Sequence, residues 1–139
     1  MMQQQVLINT RPQDAYRRQD VLTANPVDLV VMLYDALKKN IILGRRAIAK
    51  KDTVAAHNSL MKAQEIVSEL IKSLDMTYEI SDELLAIYGF ALRSLSDANI
   101  RKDAEPLEPV ITMVDDLREA WKKVSSEIRG NTYLREELA

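Results

Sequence analysis

The chain contains no cysteine. Disulfides, thiolate metal centres and a cysteine nucleophile are therefore excluded. It has a single histidine, His57. A di-iron carboxylate bundle needs Glu-x-x-His pairs on facing helices, and here Val54 stands three residues before the only histidine. A serine or threonine nucleophile needs a base held by a third group, and no such arrangement is visible. Glycine is scarce, with three in 139 residues, and no phosphate-cradling glycine loop or GxGxxG occurs. The formal net charge is −2, so the strongly basic face that nucleic-acid binding requires is missing. No apolar run is long enough to cross a bilayer. The Met-Met-Gln-Gln-Gln start lacks the basic region and apolar core of a secretory signal. These absences predict a cytoplasmic protein that is not an enzyme, holds no metal or cofactor, binds no nucleic acid and inserts in no membrane.

What is present is helical periodicity. The length fits one domain, which at this size buries roughly 68–70% of its unfolded surface and needs no staples. The apolar residues recur at helical spacing nearly throughout. Residues 1–22 read as a polar N-terminal arm carrying a small apolar cluster, Val6, Leu7 and Ile8, with Tyr16 further on. The bundle is expected over residues 23–130 and a polar tail over 131–139.

Asn25 and Pro26 suit the cap and first position of helix 1, and Asp28 complements the helix dipole. Its stripe is Val30, Leu33, Leu37, Ile41 and Gly44. Helix 2 follows almost at once, capped by Asp52 or Thr53, with the stripe Ala56, Leu60, Ala63, Val67, Leu70 and Leu74. Helix 3 is expected after Ile80, capped by Ser81, with the stripe Leu84, Ile87, Tyr88, Ala91, Leu95 and Ala98. Helix 4 is expected from between Glu105 and Pro109 to Gly130. Its stripe is Leu107, Val110 or Ile111, Val114, Leu117, Trp121, Val124 and Ile128. Four helices of similar length with short links predict an all-α, antiparallel up-down four-helix bundle with an N-terminal arm.

The first helix carries more apolar residues than one packing face uses. Leu29, Val30, Val31, Met32, Leu33 and Tyr34 form a run that encircles the helix, whereas one-sided packing needs a stripe about 100° wide. The surplus implies a partner. The outward members of such double stripes are candidate groove residues: Leu29, Met32 and Leu43 on helix 1, Ile66 and Ile71 on helix 2, and Ile87 and Phe90 on helix 3. Methionine suits an adaptable surface. Ordinary core packing is the competing reading for each of the seven. His57 reads as a surface residue, and Asp115, Asp116 and Glu119 as a solvated face.

Four blocks of the chain, in order, resemble the flagellin-specific export chaperones of the FliS family. They are Thr23-Ala24-Asn25-Pro26 with Leu29 and Met32-Leu33-Tyr34-Asp35; Lys62-Ala63 with Ile66, Leu70 and Leu74-Asp75; Ile87-Tyr88 with Leu95, Ala98-Asn99 and Asp103; and Leu117-Arg118-Glu119-Ala120-Trp121. Asn25 replaces the family's usual serine, Ala36 its usual glycine, and Met76-Thr77-Tyr78-Glu79 a frequent glycine pair. The resemblance implies a chaperone that binds the C-terminal segment of flagellin, prevents premature polymerisation and assists delivery to a flagellar export gate component. It also implies an N-terminal arm that lies over the binding surface, with Tyr16 matching an aromatic of that arm. Val6, Leu7, Ile8 and Tyr16 are expected to cover the groove, and a disordered terminus is the competing reading. The expected state is a monomer or weak homodimer. The competing readings are a homodimeric helical adaptor with a different helical client, and a bundle that binds a small ligand or metal.

Overall fold

The computed structural model describes the backbone of residues 26–138, with side chains for 26–128 and 130. Four helices follow one another: α1 Pro26–Ala49, α2 Thr53–Lys72, α3 Glu79–Arg101 and α4 Leu107–Leu138. The groove-covering arm residues Val6, Leu7, Ile8 and Tyr16, and the cap Asn25, lie outside the described residues.

The links explain the antiparallel order. After α1 the chain reverses within three residues. Lys51 takes a left-handed conformation (φ 60°), and the Asp52 N–H reaches back to the Ala47 carbonyl at 2.9 Å. The Asp52 carboxylate then accepts the Ala55 N–H at 3.1 Å and caps α2 as expected. The exit of α3 repeats the device. Lys102 has φ 52°, and the Asp103 N–H bonds the Ala98 carbonyl at 3.1 Å.

Two boundaries differ from expectation. α3 begins at Glu79, and Tyr78, not Ser81, is its N-cap residue. Ser81 is buried, and its hydroxyl donates to the Asp75 carbonyl at 2.5 Å, so it ties the preceding loop instead of capping. α4 continues through Gly130 to Leu138. No glycine has a positive φ, so Gly130 does not use the left-handed turn that would end the helix. It tolerates the helical conformation at a cost of about 1 kcal/mol relative to alanine.

The core is one cluster drawn from all four helices, including Leu37, Ile41, Leu60, Val67, Leu70, Leu84, Leu95, Leu107, Val110 and Val114. α1 packs against α2 and α4, α2 against α3, and α3 only loosely against α4. α1 and α3 therefore occupy opposite corners. They meet through the core by a hydroxyl pair, Tyr34 to Tyr88, at 2.6 Å. Burial pushes both phenols above the usual tyrosine range, so they stay protonated as this bond requires. Gly44 lets α2 approach closely, since a Cβ there would lie 2.7 Å from a Leu60 methyl.

Candidate functional site

The seams between helices differ in what holds them. Along α1–α4 the contacts are polar. Asp28 accepts from the Ser125 hydroxyl, and Asp35 pairs with Arg118. Lys38 meets Asp115 at 2.6 Å, and Arg45 meets Glu108 at 2.6 Å. The Asp35 carboxylate raises the Arg118 guanidinium above its already high range. Of the carboxylates expected as a solvated face on α4, Asp115 reaches α1 through Lys38, Glu119 pairs with Arg118 of its own helix, and Asp116 is exposed. Ser125, not Val124 or Ile128, is the buried residue near the end of this seam. Val124 and Ile128 stand outside, which corrects their place in the expected core stripe.

α3 is dressed differently. At about 100° per residue, Leu85 and Leu92 lie on the flank toward α2. That flank is marked by Asn99, whose side-chain amide donates to His57 Nδ1 of α2 at 3.1 Å. Asn99 can be oriented by chemistry: its oxygen accepts from Lys102 Nζ at 2.7 Å, which leaves the NH2 group for the histidine. Ile87 and Phe90 lie on the other flank, toward α4. Phe90 is 42% exposed, Ile100 is 80% exposed, and Leu85 is exposed as well. Between α2 and α3 lies an open cleft of about 750 Å³. Met61, Leu92 and Ile100 give it apolar walls, Ser68 and Ser96 leave room, and Glu65 and Arg93 stand at its rim.

The seven sequence candidates fall into three places. Leu29, Met32, Leu43 and Ile66 flank the α1–α2 seam, with Leu43 exposed and the other three half-buried. Ile71 is half-buried and, like Ile66, packs against the core cluster. Ile87 is half-buried and Phe90 exposed on the α4 side of α3. They do not form one pocket. They form strips of partly exposed apolar surface around the bundle. Met61, Leu85 and Ile100 were not anticipated; the available signal was an apolar residue lying off the core stripe. Among the described residues no group of three or more His, Cys, Asp or Glu could hold a metal ion, and no helix is long and apolar enough to cross a membrane.

The described residues form an all-α four-helix bundle with charge pairs joining α1 to α4 and an open, partly apolar cleft between α2 and α3. The family described as "Flagellar protein FliS" matches residues 9–128. The chain is 38% identical over 122 residues to the flagellar secretion chaperone FliS of Bacillus subtilis (strain 168), covering 88% of this chain and 92% of that protein. It is 33% identical over 108 residues to the flagellar secretion chaperone FliS of Salmonella typhimurium, covering 76% and 80%. The chain belongs to the FliS family of flagellar secretion chaperones. A solved structure described as a flagellar chaperone from bacteria shares the fold, with a TM-score of 0.70 at 16% identity, covering 84% of this chain and 99% of that one.

Proposed function

We propose that this chain binds the C-terminal segment of flagellin in the cytosol, blocks its premature polymerisation and hands it to a component of the flagellar export gate. The observation that carries this reading is the apolar surface along α3 and its seams, where Leu85, Phe90 and Ile100 are exposed and Met61 and Leu92 wall a cleft. A client segment docks there as short amphipathic helices with anchors at i, i+3, i+4 and i+7. Leu29, Met32, Leu43, Ile66, Ile71, Ile87 and Phe90 extend the contact round the bundle. The client loses entropy when it orders, so affinity per unit area stays moderate and the segment can be removed at export. The chemistry needs neither nucleotide nor metal.

The test is calorimetric titration with the C-terminal flagellin segment of the same genome. A 1:1 isotherm with a negative heat-capacity change is the expected result, because apolar burial on a folding client gives that sign. Absence of heat at several temperatures, together with a concentration-independent dimer, would overturn the reading in favour of the homodimeric adaptor. In the same assay, deletion of residues 1–19 is expected to tighten binding, as befits a competitor carrying Val6, Leu7, Ile8 and Tyr16. Unchanged or weaker binding would remove that role.

A further inference from the structure

The connection between α2 and α3 packs Leu74 against the core, but it and the first turn of α3 hold three other large apolar side chains outward. Met76 is 50%, Tyr78 65% and Ile80 57% exposed. Loop tips are ordinarily polar. Nor is this tip slack. The Asp75 carboxylate accepts the Thr77 N–H at 3.0 Å and the Thr77 hydroxyl at 2.6 Å. The Asp75 carbonyl accepts the Tyr78 N–H at 3.2 Å and the Ser81 hydroxyl at 2.5 Å. Ser81 is itself buried, so it anchors the loop to the bundle. Three large apolar side chains are therefore held out on a braced turn, and little backbone entropy remains to be lost when they are covered.

Along the chain, the charge between Lys72 and Arg93 has one sign. Residues 73–92 contain Asp75, Glu79, Asp82 and Glu83 and no Lys, Arg or His. All four carboxylates are exposed. Two of them, Glu79 and Asp82, also complement the N-terminus of α3. Whatever else they do, these exposed carboxylates flank the apolar tip along the chain with negative charge. That charge selects the occupant. A second copy of this tip is disfavoured, since an isologous contact would set four carboxylates against four. The α2–α3 cleft of another copy is no better, with Glu65, Glu69 and Asp97 against Lys72 and Arg93.

We propose that the Met76–Tyr78–Ile80 tip is a second docking surface, distinct from the client seams, for a protein presenting an apolar socket rimmed by Lys or Arg. Tyr78 is the central anchor, as the exposed aromatic of the three. The carboxylates steer the approach and fix its orientation, so the interaction weakens as salt rises. This inference stands on the tip itself; it uses the family's secretion role only as a readout.

The test places a photo-crosslinking amino acid at position 78 of the full chain, in cells whose own copy is deleted, and maps the adducts by mass spectrometry. The expected adduct joins position 78 to another protein, beside Lys or Arg residues. An adduct to flagellin, to residues 1–25 of the same chain, or to a second copy would overturn the proposal, as would no adduct. Two variants run beside it: Y78A/I80S, and E79K/E83K. Both are expected to lower flagellin secretion at least 10-fold, while the calorimetric affinity for the flagellin segment stays within twofold of the parent. Parental secretion in both variants would overturn the second surface. Failure of the parent itself to bind the flagellin segment would count against the proposed client alone and leave the crosslink result standing.

Discussion

α1 and α3 stand at opposite corners of the same bundle, share the Tyr34–Tyr88 hydroxyl pair and have nearly equal lengths, yet they are used in opposite ways. α1 is tied on both sides. Gly44 seats it against Leu60 of α2, and four side-chain contacts from Asp28 to Arg45 fasten it to α4. α3 is held by its core stripe and by Asn99 to His57, and it packs only loosely on α4. Its flanks keep Leu85, Phe90 and Ile100 in contact with solvent, and its first turn carries the Tyr78–Ile80 tip. α1 is mainly scaffold, with Leu43 its exposed candidate contact, and α3 carries the larger exposed apolar surface. Stability and binding should therefore respond to different residues, and substitutions can be ranked on that basis.

The largest stability effect is expected deep in α1. Leu37 is 1% exposed, and Leu37→Ala removes buried methyl groups that neighbours cannot fully replace. It should cost about 2–5 kcal/mol, read as a lower urea midpoint with an unchanged slope. A loss below about 1 kcal/mol would mean that α1 is not the scaffold described. Gly44→Ala comes next. Its new Cβ meets fully buried Leu60 atoms at 2.7 and 2.9 Å, so the α1–α2 crossing must open. Overpacking costs about 1–3 kcal/mol, and the better helix propensity of alanine returns at most about 1 kcal/mol. A net destabilisation is expected; a gain in thermal midpoint would show that the two helices are not tightly seated there.

The contrast between these helices was legible in the sequence only in part. The core stripes of α1 and α2 were readable because a buried face repeats every 3.6 residues and little else competes for it. Leu37, Ile41, Leu60 and Val67 are buried as that rule requires. The start of α3 was misplaced because Ser81 has a capping side chain and uses it on the Asp75 carbonyl, a choice settled by a loop conformation six residues upstream. The lower part of α4 was misread because periodicity does not say which neighbour is near. Ser125 faces Asp28 across a polar seam, and Val124 and Ile128 are left outside. The same limit applies to the surface. The surplus of apolar residues on α1 signalled a binding protein, yet Leu29 and Met32 are half-buried, while the most exposed apolar side chain of α3, Ile100, lies beyond the stripe that the sequence offered.

The ladder between α1 and α4 gives a smaller effect with a distinctive dependence. Arg118 is 29% and Asp35 51% exposed at the side chain, so solvent screens much of their attraction. Asp35→Asn should cost about 0.2–1 kcal/mol at low salt, and the difference from the parent should shrink as salt rises. A salt-independent loss would mean that Asp35 acts by packing and not by charge.

The smallest stability effect belongs to the residue expected to matter most for binding. Phe90 is 42% exposed and lies outside the buried core. Phe90→Ser should leave the unfolding free energy within about 0.5 kcal/mol, because surface changes away from caps, networks and cavities rarely do more. An aromatic anchor on a docking surface can nevertheless supply more than 2 kcal/mol of binding, so affinity for the flagellin segment should fall more than 10-fold. The pairing of these two measurements is what sharpens the comparison. Reduced stability together with reduced affinity would place Phe90 in the scaffold alongside α1. Parental affinity would free the α4 flank of α3 from client binding and confine the contact to the α2 side, where Leu92 and Ile100 line the cleft. Only the loss of affinity at constant stability separates a surface that works on a partner from one that merely holds the bundle together.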